Sequence, residues 1–335
     1  MVIPVKTSGA GYNIILEKGA LWRVGEYLNL ERKVLVVTDS GVPEEYWKAV
    51  IDASKEGYAF IFKAGEDSKN FDTFKEILET LVENDFTRTD CIVAVGGGVA
   101  GDMAGFAASC FMRGIDFYNI PTTVLSQVDS SIGGKTAIDF CSVKNIVGAF
   151  YPPKCVIIDT ETLKTLEGRQ IANGLAESVK MALIFDEEFF SLFEDGITVE
   201  DLDTVIERSL YIKKRVVEED EKESGLRKTL NFGHTVGHAI EVNSPDLYHG
   251  ECVALGMLPM CSEGVRERLL KVMEGLGLPT EHSVSPEKII DAVKHDKKKS
   301  GESIAAVRVE KAGSFILAEM PFEALKEEIV KAAMI

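Results

Sequence analysis

Residues 91–111, CIVAVGGGVAGDMAGFAASCF, join an apolar run to a glycine-rich loop and then to a run of small residues. The apolar run at residues 91–95 predicts a β-strand. Residues 96–101 follow the pattern G-x-G-x-x-G, and the residues after them predict a helix. Backbone N–H groups at the start of such a helix can hold a pyrophosphate, although close packing of helix on strand would also explain the glycines.

Similar apolar or β-branched runs flank this stretch and predict strands at residues 33–39, 59–63, 116–120 and 154–159. Helical spacing between the second and third strands, with Ser68 or Asn70 as the N-cap, involves Phe71, Phe74, Ile77, Leu78, Leu81 and Val82. Alternating strands and helices predict a parallel sheet. Because the glycine loop follows the third strand rather than the first, we expect the ribose-binding acid before the loop, and Asp39 is the candidate.

Beyond about residue 167 the alternation stops and helical spacing prevails, as at Leu202, Val205, Ile206 and Leu210. The sequence shows no internal repeat and no low-complexity stretch. We therefore predict an α/β domain over residues 1–167 and a mainly helical domain over residues 168–335.

The overall charge bears on the possible partners of the chain. Its 54 acidic and 37 basic residues give a formal charge of −17, which would repel a nucleic-acid backbone or an anionic lipid surface. The six cysteines form no C-x-x-C pair and are typical of reduced, buried thiols. No basic-then-apolar leader and no membrane-length apolar run is present. We expect a soluble cytoplasmic protein that binds neither nucleic acid nor membrane.

Three of the five histidines, His234, His238 and His249, lie within 16 residues. His234 and His238 are four residues apart and would share one helix face, so their spacing indicates a metal pair with His249 as a third ligand. Zinc or a similar divalent ion suits such ligands, and a carboxylate that spacing does not identify would complete the site. Each histidine could instead be a capping or core residue.

Several basic residues stand in glycine-flanked or apolar surroundings, where solvation alone explains them poorly. Arg113, Lys135 and Lys180 are the clearest cases, and Lys144, Asn145, Lys213 and Arg227 join them less strongly. A surface charge is the simpler explanation for each one alone. Together they indicate an anionic ligand.

Five long blocks of the chain match a known family. They are GGGVAGDMAGFAASCFMRGIDFYNIPTTVLSQVDSSIGGKTAID, KNIVGAFYPP, GLAESVK, EDEKESGLRKTLNFGHTVGHAIE and HGECVALGM. These blocks resemble the 3-dehydroquinate synthases, which are sugar-phosphate cyclases, and the similarity extends from about residue 39 to residue 298. The resemblance implies an N-terminal Rossmann-like α/β domain with a mainly parallel sheet, an all-α C-terminal domain, and a homodimer.

The resemblance also implies a reaction. Such an enzyme converts 3-deoxy-arabino-heptulosonate 7-phosphate, a phosphorylated sugar acid, into 3-dehydroquinate and phosphate in the shikimate pathway. The steps are transient oxidation by NAD, phosphate elimination, re-reduction, ring opening and aldol cyclisation. A divalent metal, zinc or cobalt, is required, and no external reductant is consumed.

The family's functional residues fall on named positions of this chain. The family's metal ligands correspond to Glu177, His234 and His249. His238 corresponds to a substrate-side histidine, so the resemblance overrules the His234–His238 metal pair that spacing suggested. The NAD contacts become Asp39, Gly65, Glu66, Asp67, Ser68, Lys69, Gly97, Gly98, Val99, Ala100, Gly101, Asp102, Thr122, Thr123, Lys135, Lys144, Thr162, Leu163, Lys164 and Thr165.

The substrate-side residues, carried over in the same way, include Arg113, which would reach the neighbouring site of the dimer. The remaining ones are Asp129, Lys135, Asn145, Lys180, Lys213, Arg227, Asn231, His238 and Lys298. Three alternatives stay open: a sister cyclase such as 2-deoxy-scyllo-inosose synthase, an iron-type polyol dehydrogenase that releases NADH, and a catalytically silent NAD-binding protein. Arg227, Lys213 and His238 favour a substrate with a carboxylate over the sister cyclase.

Overall fold

A computed structural model of the chain describes residues 1–141, 143–297 and 303–332. The chain divides into two units, Met1–Leu166 and Glu167–Ile335. The strands are β1 (Val2–Val5), β2 (Tyr12–Leu16), β3 (Lys33–Asp39), β4 (Glu56–Phe62), β5 (Cys91–Gly96), β6 (Asp116–Pro121), β7 (Lys135–Phe140), β8 (Val143–Phe150), β9 (Cys155–Ile158), β10 (Ser303–Arg308) and β11 (Ile316–Pro321). The helices are α1 (Val24–Tyr27), α2 (Glu44–Asp52), α3 (Phe71–Glu83), α4 (Gly98–Cys110), α5 (Gly168–Phe185), α6 (Glu187–Glu194), α7 (Leu202–Glu219), α8 (His234–Asn243), α9 (His249–Met257), α10 (Glu263–Leu276), α11 (Pro286–Lys297) and α12 (Phe322–Ala332).

The first unit is built on a seven-stranded sheet of order β1-β2-β9-β6-β5-β3-β4. Strands β2, β9, β6, β5, β3 and β4 are parallel, and β1 pairs antiparallel with β2 at one edge. The predicted mainly parallel sheet is confirmed. Strand β3 has the predicted bounds, β5 and β6 are one residue longer, β9 is one residue shorter at each end, and β4 begins at Glu56 instead of residue 59.

Both faces of this sheet are covered, which explains why its strands are continuous apolar runs in the sequence. In β3, Leu35 and Val37 face a core shared with α3 and α4, whereas Val34 and Val36 face a core shared with α1 and α2. Of the two candidate caps of α3, Asn70 is the one observed, because its side chain accepts a hydrogen bond from the Thr73 amide at 2.9 Å.

The strand order creates a switch point at the carboxyl edge of the sheet. From β3 the chain crosses outward to β4, returns to β5 on the other side of β3, and then proceeds in the opposite direction to β6. Ligands of open α/β sheets bind in the crevice at such a point. Asp39 ends β3 and Gly96 ends β5, so the acid and the glycine loop meet there. This explains why the glycine loop follows the third predicted strand.

Two antiparallel pairs in the first unit were not predicted from periodicity. Strands β1 and β2 pair through Val2–Ile15 to Val5–Tyr12, and β7 and β8 form a separate hairpin. Strand β8 is mostly exposed, so it lacks a regular apolar alternation.

The second unit is mainly helical, as predicted. It also contains the antiparallel pair β10–β11, which the all-α description left out. Buried Ile304 and Ala306 alternate with partly buried Ser303 and exposed Ala305, but the side chains of the alanines are too small to mark a strand clearly.

Membrane and cysteine features complete the description. Among the described residues, no helix combines the length and apolar character that a bilayer crossing requires. All six cysteines are free thiols. The expectation that they are buried is correct for four of them and wrong for Cys110 and Cys141, which are exposed.

Asp159, directly after β9, fixes the residues around it through three backbone amides. Its Oδ1 accepts hydrogen bonds from Gly19 and Glu161 at 3.0 Å, and its Oδ2 accepts one from Leu21 at 3.1 Å. We expect Asp159→Ala to lower the free energy of unfolding by about 3 kcal/mol, because it leaves these amides without their acceptor. Urea titration measures this loss. Asp52→Ala, at an exposed helix end, is the control, and a loss below about 1 kcal/mol for Asp159→Ala would contradict the role.

Candidate functional site

Helix α5 carries a carboxylate in the interior of the second unit. Glu177 and Lys180 are each 1% exposed, and the Lys180 ammonium lies in ion-pair contact with Glu177 Oε2. Within the described residues, neither carboxylate oxygen of Glu177 accepts a hydrogen bond. A buried carboxylate normally has its oxygens hydrogen-bonded or bound to a cation. Glu177 therefore has the properties of a metal ligand.

Helix α8 places two histidines beside this carboxylate. Each follows a glycine, and a Cβ atom added at Gly237 would lie 2.8 Å from the Cys252 carbonyl oxygen of α9. Gly233, with φ 78°, is equally close to α9. Because both glycines face α9, His234 and His238 lie on an adjacent face of the same helix.

Helix α9 begins with the third histidine, His249, and contacts α5 at the next residue. The Gly250 amide donates to Asn173 Oδ1 at 2.6 Å, and a Cβ atom on Gly250 would lie 1.9 Å from the Asn173 carbonyl oxygen. Asn173 and Glu177 are four residues apart and share one face of α5. One helix face thus holds the start of α9 and presents the carboxylate to its first residue.

The ligand atoms of these residues converge. One nitrogen each of His234, His238 and His249 lies within 4.8 Å of the other two. Glu177 Oε1 lies 3.6 Å from His234 Nε2 and 3.8 Å from His249 Nε2. Ligand bonds of 2.0–2.1 Å in a tetrahedral site separate two ligand atoms by about 3.4 Å. The Glu177, His234 and His249 atoms are therefore close to the spacing that one divalent ion requires.

The second nitrogen of each of these two imidazoles has its own acceptor. His234 Nδ1 lies 3.2 Å from the Phe232 carbonyl oxygen, and His249 Nδ1 lies 3.3 Å from Glu241 Oε2. Because a carbonyl or carboxylate oxygen only accepts, it favours the tautomer with the proton on Nδ1. This leaves the Nε2 lone pairs directed toward Glu177 and free to bind a metal.

The pKa shifts of the two histidines agree with this arrangement. Burial, with nearby Lys180, holds the pKa of His234 well below its ordinary value, so this imidazole is neutral. Burial also acts to lower the pKa of His249, but the hydrogen bond that its ring donates to Glu241 and the charge of Glu177 outweigh it and raise the pKa. The raised value reflects an excess of negative charge around His249 that a bound cation would neutralise.

Two nitrogen ligands and one carboxylate suit zinc or cobalt, so these residues fit a divalent metal. His238 is the most exposed of the three histidines. The geometry groups His238 with the other two, as spacing predicted, whereas the closest approaches of Glu177 are to the two histidines that the resemblance names.

Two further predicted cations of the second unit are buried. Lys213 on α7 is 5% exposed and Arg227 is 2% exposed. Arg227 lies in a short turn, Leu226–Asn231, and donates to the Glu221 carbonyl oxygen at 2.6 Å. Asn231, at the end of this turn, is exposed and donates to Glu223 Oε1 at 2.8 Å.

Helices α5 and α7 are joined close to Glu177. Ser209 of α7, four residues before Lys213, donates a hydrogen bond to Ser178 of α5 at 3.0 Å. Both serines are fully buried. The contact fixes the helix that carries Lys213 against the helix that carries Glu177.

The first unit forms a second candidate site at the carboxyl edge of its sheet. A Cβ atom added at Gly96 would lie 3.5 Å from Asp39 Oδ2 and one at Gly97 would lie 3.3 Å from the Thr123 side chain. Helix α4 starts at Gly98, its N-cap Gly97 provides no side-chain hydrogen bond, and its first turn has no acid. The amides of that turn are therefore available to a phosphate, and the residues fit a dinucleotide.

Other predicted cofactor residues lie along the same edge. The loop after β4 contains Gly65, Glu66, Asp67 and Ser68, and it is tied to the end of β3 by the Ala64 amide, which donates to Ser40 Oγ at 3.0 Å. The Thr122 amide donates to the Gly96 carbonyl oxygen at 2.9 Å. Val99, Ala100 and Gly101 form the first turn of α4.

The segment Thr160–Thr165 follows β9 and has few polar groups left for a ligand. Thr162 Oγ1 is bonded to Gln127 and to the Asp159 carbonyl oxygen, and Thr165 Oγ1 lies 3.1 Å from the Tyr46 hydroxyl. Leu163 is buried, and Lys164 is an exposed ion-pair partner of Glu161.

The remaining predicted residues differ in exposure. Lys135 and Lys144 are exposed on the β7–β8 hairpin, Asp129 is half-buried, and Arg113 is exposed with φ 71°. Lys298 lies outside the described residues. Lys69, Asp102 and Asn145 lie in one hydrogen-bonded cluster within the first unit.

Some residues of these sites were missed by sequence reasoning. Glu241 lies seven residues after His234 and so shares its helix face, a signal that was available. Asn173 lies four residues before Glu177, but nothing in the sequence indicates its contact with α9. Asp220, whose carboxylate accepts hydrogen bonds from three backbone amides, was also missed.

The chain is similar to known proteins over almost its full length. The family model described as 3-dehydroquinate synthase N-terminal matches residues 59–173, and the one described as 3-dehydroquinate synthase C-terminal matches residues 174–299. The chain belongs to the 3-dehydroquinate synthase family. The resemblance inferred from the sequence is confirmed. A 3-dehydroquinate synthase of Streptococcus thermophilus (strain ATCC BAA-491 / LMD-9) is 40% identical over 355 aligned positions, covering 99% of this chain and 100% of that one.

Two solved structures of other cyclases confirm the fold. One is 2-deoxy-scyllo-inosose synthase complexed with carbaglucose-6-phosphate, NAD+ and Co2+, at 27% identity and a TM-score of 0.89, covering 99% of this chain and 100% of that one. The other is 2-epi-5-epi-valiolone synthase from Streptomyces hygroscopicus subsp. jinggangensis 5008, with NAD+ and Zn2+ bound. It is 26% identical, with a TM-score of 0.89 and 98% of each chain covered.

Asp220 makes the stability of the turn that carries Arg227 depend on pH. Burial acts to raise its pKa, but bonds from the Gly225, Ser224 and Arg227 amides outweigh this and lower the pKa from 3.8 to about 2. A lowered folded-state pKa stabilises the fold above the unfolded value and stops doing so as the pH falls toward 2. We expect Asp220→Asn to cost about 2 kcal/mol of unfolding free energy at pH 7 and about half of that at pH 3.

Urea titrations of the wild type and Asp220→Asn at pH 7, 4 and 3 measure this difference. Asp52→Asn, at the exposed end of α2, provides the comparison for loss of one carboxylate. If the difference in unfolding free energy between the wild type and Asp220→Asn stayed constant from pH 7 to pH 3, the titration of Asp220 would be ruled out as its cause.

Glu241 orients His249, so it should control metal affinity without binding the metal itself. We expect Glu241→Ala to weaken Zn2+ binding by about 10–100-fold, because His249 loses the acceptor at Nδ1, and Glu241→Gln to weaken it less. Competition with a chromogenic chelator gives the dissociation constants. Glu267→Ala, on the exposed face of α10, should bind Zn2+ as the wild type does. Unchanged affinity in Glu241→Ala would exclude the orienting role.

Proposed function

We propose that this chain is a 3-dehydroquinate synthase, converting 3-deoxy-arabino-heptulosonate 7-phosphate into 3-dehydroquinate and phosphate. The 40% identity to a 3-dehydroquinate synthase over 99% of the chain carries the proposal. The convergence of Glu177, His234 and His249 supports it, because a cyclase of this kind needs a divalent ion.

Glu177, His234 and His249 would hold zinc or cobalt, and Glu241 and the Phe232 carbonyl would orient the imidazoles. When bound, the metal supplies positive charge that polarises substrate hydroxyl and carbonyl oxygens. Asp39, the amides at the start of α4 and the Gly65–Lys69 loop would hold NAD. When bound, NAD accepts a hydride from the substrate and later returns it.

The chain's own residues provide binding and proton transfer around these groups. Lys180, buried beside Glu177, donates hydrogen bonds to a substrate hydroxyl near the carboxylate. Lys213 and Arg227 bind the substrate carboxylate, because both are buried cations and the arginine presents a planar pair of donors. Their burial excludes water, which strengthens their electrostatic attraction for an anion.

His238 is the imidazole best placed to hold or move a proton. It lies within the histidine cluster but is more exposed than His234 and His249, so a bound substrate can reach it. Asn231, exposed at the end of its turn, and Asp129 of the first unit each orient a substrate hydroxyl.

The phosphate group requires cationic or donor side chains. Lys135 and Asn145 on the β7–β8 hairpin bind it, together with Lys298. We also propose a homodimer in which the exposed Arg113 serves the site of the second copy. The unpaired state of the six cysteines agrees with a cytoplasmic protein.

A sister cyclase is the second candidate, since the two solved cyclases share the fold at a TM-score of 0.89. It would take a sugar phosphate that lacks a carboxylate. Buried Lys213 and Arg227 favour the carboxylate substrate, because an anionic ligand offsets the cost of burying two cations.

The test is release of inorganic phosphate from 3-deoxy-arabino-heptulosonate 7-phosphate by the NAD- and Zn2+-loaded protein. We expect 3-dehydroquinate as the product by NMR and mass, with no net NADH. Glu177→Gln should lower turnover at least 1,000-fold while leaving the NAD dissociation constant within about threefold, because it removes a charged metal ligand. Glu267→Gln should turn over normally. Phosphate release from glucose 6-phosphate instead, or steady NADH accumulation with polyols, would replace the proposal with one of its rivals.

A further inference from the structure

Asp139 lies in the first unit where the β7–β8 hairpin changes register. The register shift falls between Ile138, which pairs with Val147, and Phe140, which pairs with Val143, so Asp139 lies opposite the extra residues that β8 carries there. Its amide donates to the Lys69 carbonyl oxygen at 2.8 Å, and its Oδ1 accepts a hydrogen bond from the Asn145 amide at 2.7 Å. The carboxylate therefore bridges the turn of the hairpin and holds the backbone of Asn145.

The backbone of Asn145 needs such support. Its φ is 54°, in the left-handed region that a side-chain-bearing residue rarely adopts, although asparagine tolerates it better than most. A left-handed residue in an exposed hairpin persists only when its surroundings fix it. The hydrogen bond to Asp139 is such a constraint.

The side chain of Asn145 is held separately, by Lys69. This lysine is 4% exposed, forms an ion pair with Asp102 Oδ2 at 2.6 Å, and donates a hydrogen bond to Asn145 Oδ1. Burial acts to lower the pKa of Lys69, but Asp102 and Glu66 outweigh it and raise the pKa, so Lys69 carries its charge. The buried Lys69–Asp102 pair thus joins the start of α4 to the hairpin.

This contact determines what Asn145 can offer to a ligand. An ammonium group only donates, so the amide oxygen of Asn145 must face Lys69. The remaining group, the Nδ2 amide with two N–H bonds, can only donate. Asn145 as a whole is exposed, so that group is accessible. The partner must therefore be an acceptor, and an anionic oxygen is the strongest acceptor available.

We infer that Asp139 is a positioning residue that fixes Asn145 so that its Nδ2 amide donates to a phosphate oxygen of the bound substrate. The inference rests on the proposed function, because that function supplies a substrate with a phosphate group. A pyrophosphate oxygen of the dinucleotide offers the same chemistry, and the two sources are separated below by their different binding constants.

The test compares Asp139→Ala with Asp139→Asn in the NAD- and Zn2+-loaded protein. We expect the alanine variant to raise the KM for the heptulosonate phosphate about tenfold, with kcat changed less than threefold. The asparagine variant keeps an acceptor for the Asn145 amide and should restore KM to within about threefold. Asp52→Ala, on the exposed end of α2, is the control. Melting temperature verifies that Asp139→Ala is folded.

A double-mutant cycle separates positioning from general destabilisation. Asn145→Asp keeps an acceptor for Lys69 but has no Nδ2 donor, so it should raise KM at least as much as Asp139→Ala does. Adding Asp139→Ala to Asn145→Asp should raise KM no further, because the group being positioned is already absent. Additive effects would overturn the inference.

The outcomes also show whether Asn145 serves the substrate or the cofactor. They separate failure of the positioning role from failure of the proposed function. If the NAD dissociation constant rises tenfold and KM does not, Asn145 serves the cofactor and the substrate assignment is wrong. A KM within twofold of an active wild type in Asp139→Ala would overturn the positioning role. If the wild type releases no phosphate at all, the proposed function fails. In that case a tenfold weaker dissociation constant for inorganic phosphate in Asp139→Ala would still support the positioning role, and an unchanged one would refute it.

Discussion

The carboxylate of Glu177 is the constraint on which the second unit depends. It is buried on α5, accepts no hydrogen bond from the described residues, and contacts one ammonium group, that of Lys180. An interior carboxylate without hydrogen bonds is costly, so the surrounding helices must keep other cationic or metal-binding groups next to it. The close approach of His234 and His249 follows from this requirement.

Glycines allow the three helices to meet at that point. A side chain at Gly250 would overlap α5, and side chains at Gly237 or Gly256 would overlap the neighbouring helix of the α8–α9 pair. Short helix-to-helix distances bring Glu177, His234 and His249 together from three separate chain segments. The glycines, which look like flexible positions in the sequence, therefore fix the geometry of the proposed metal site.

The sequence predicted features that leave a local pattern and missed those that depend on tertiary contacts. Strands such as β3 were found because they are buried on both faces and appear as continuous apolar runs, whereas the exposed β8 was not. Histidine spacing found the cluster of three, since two of them share a helix. Glu177 lies 57 positions before His234, so no local pattern connects them, and it was identified only through the resemblance. The contacts of Asn173 and Asp139 depend on tertiary packing and left no signal in the sequence.

The chain has a formal charge of −17 but also contains buried cations. In the helical unit, three cations that would normally be solvated, Lys180, Lys213 and Arg227, are each at most 5% exposed. Their burial removes the water that would otherwise screen their charges. In the first unit, the buried Lys69 is balanced by Asp102, so it contributes little net charge and instead orients a neutral amide. Under the proposed function, buried cations of the helical unit and oriented donors of the first unit both serve anion binding, although the chain carries excess negative charge overall.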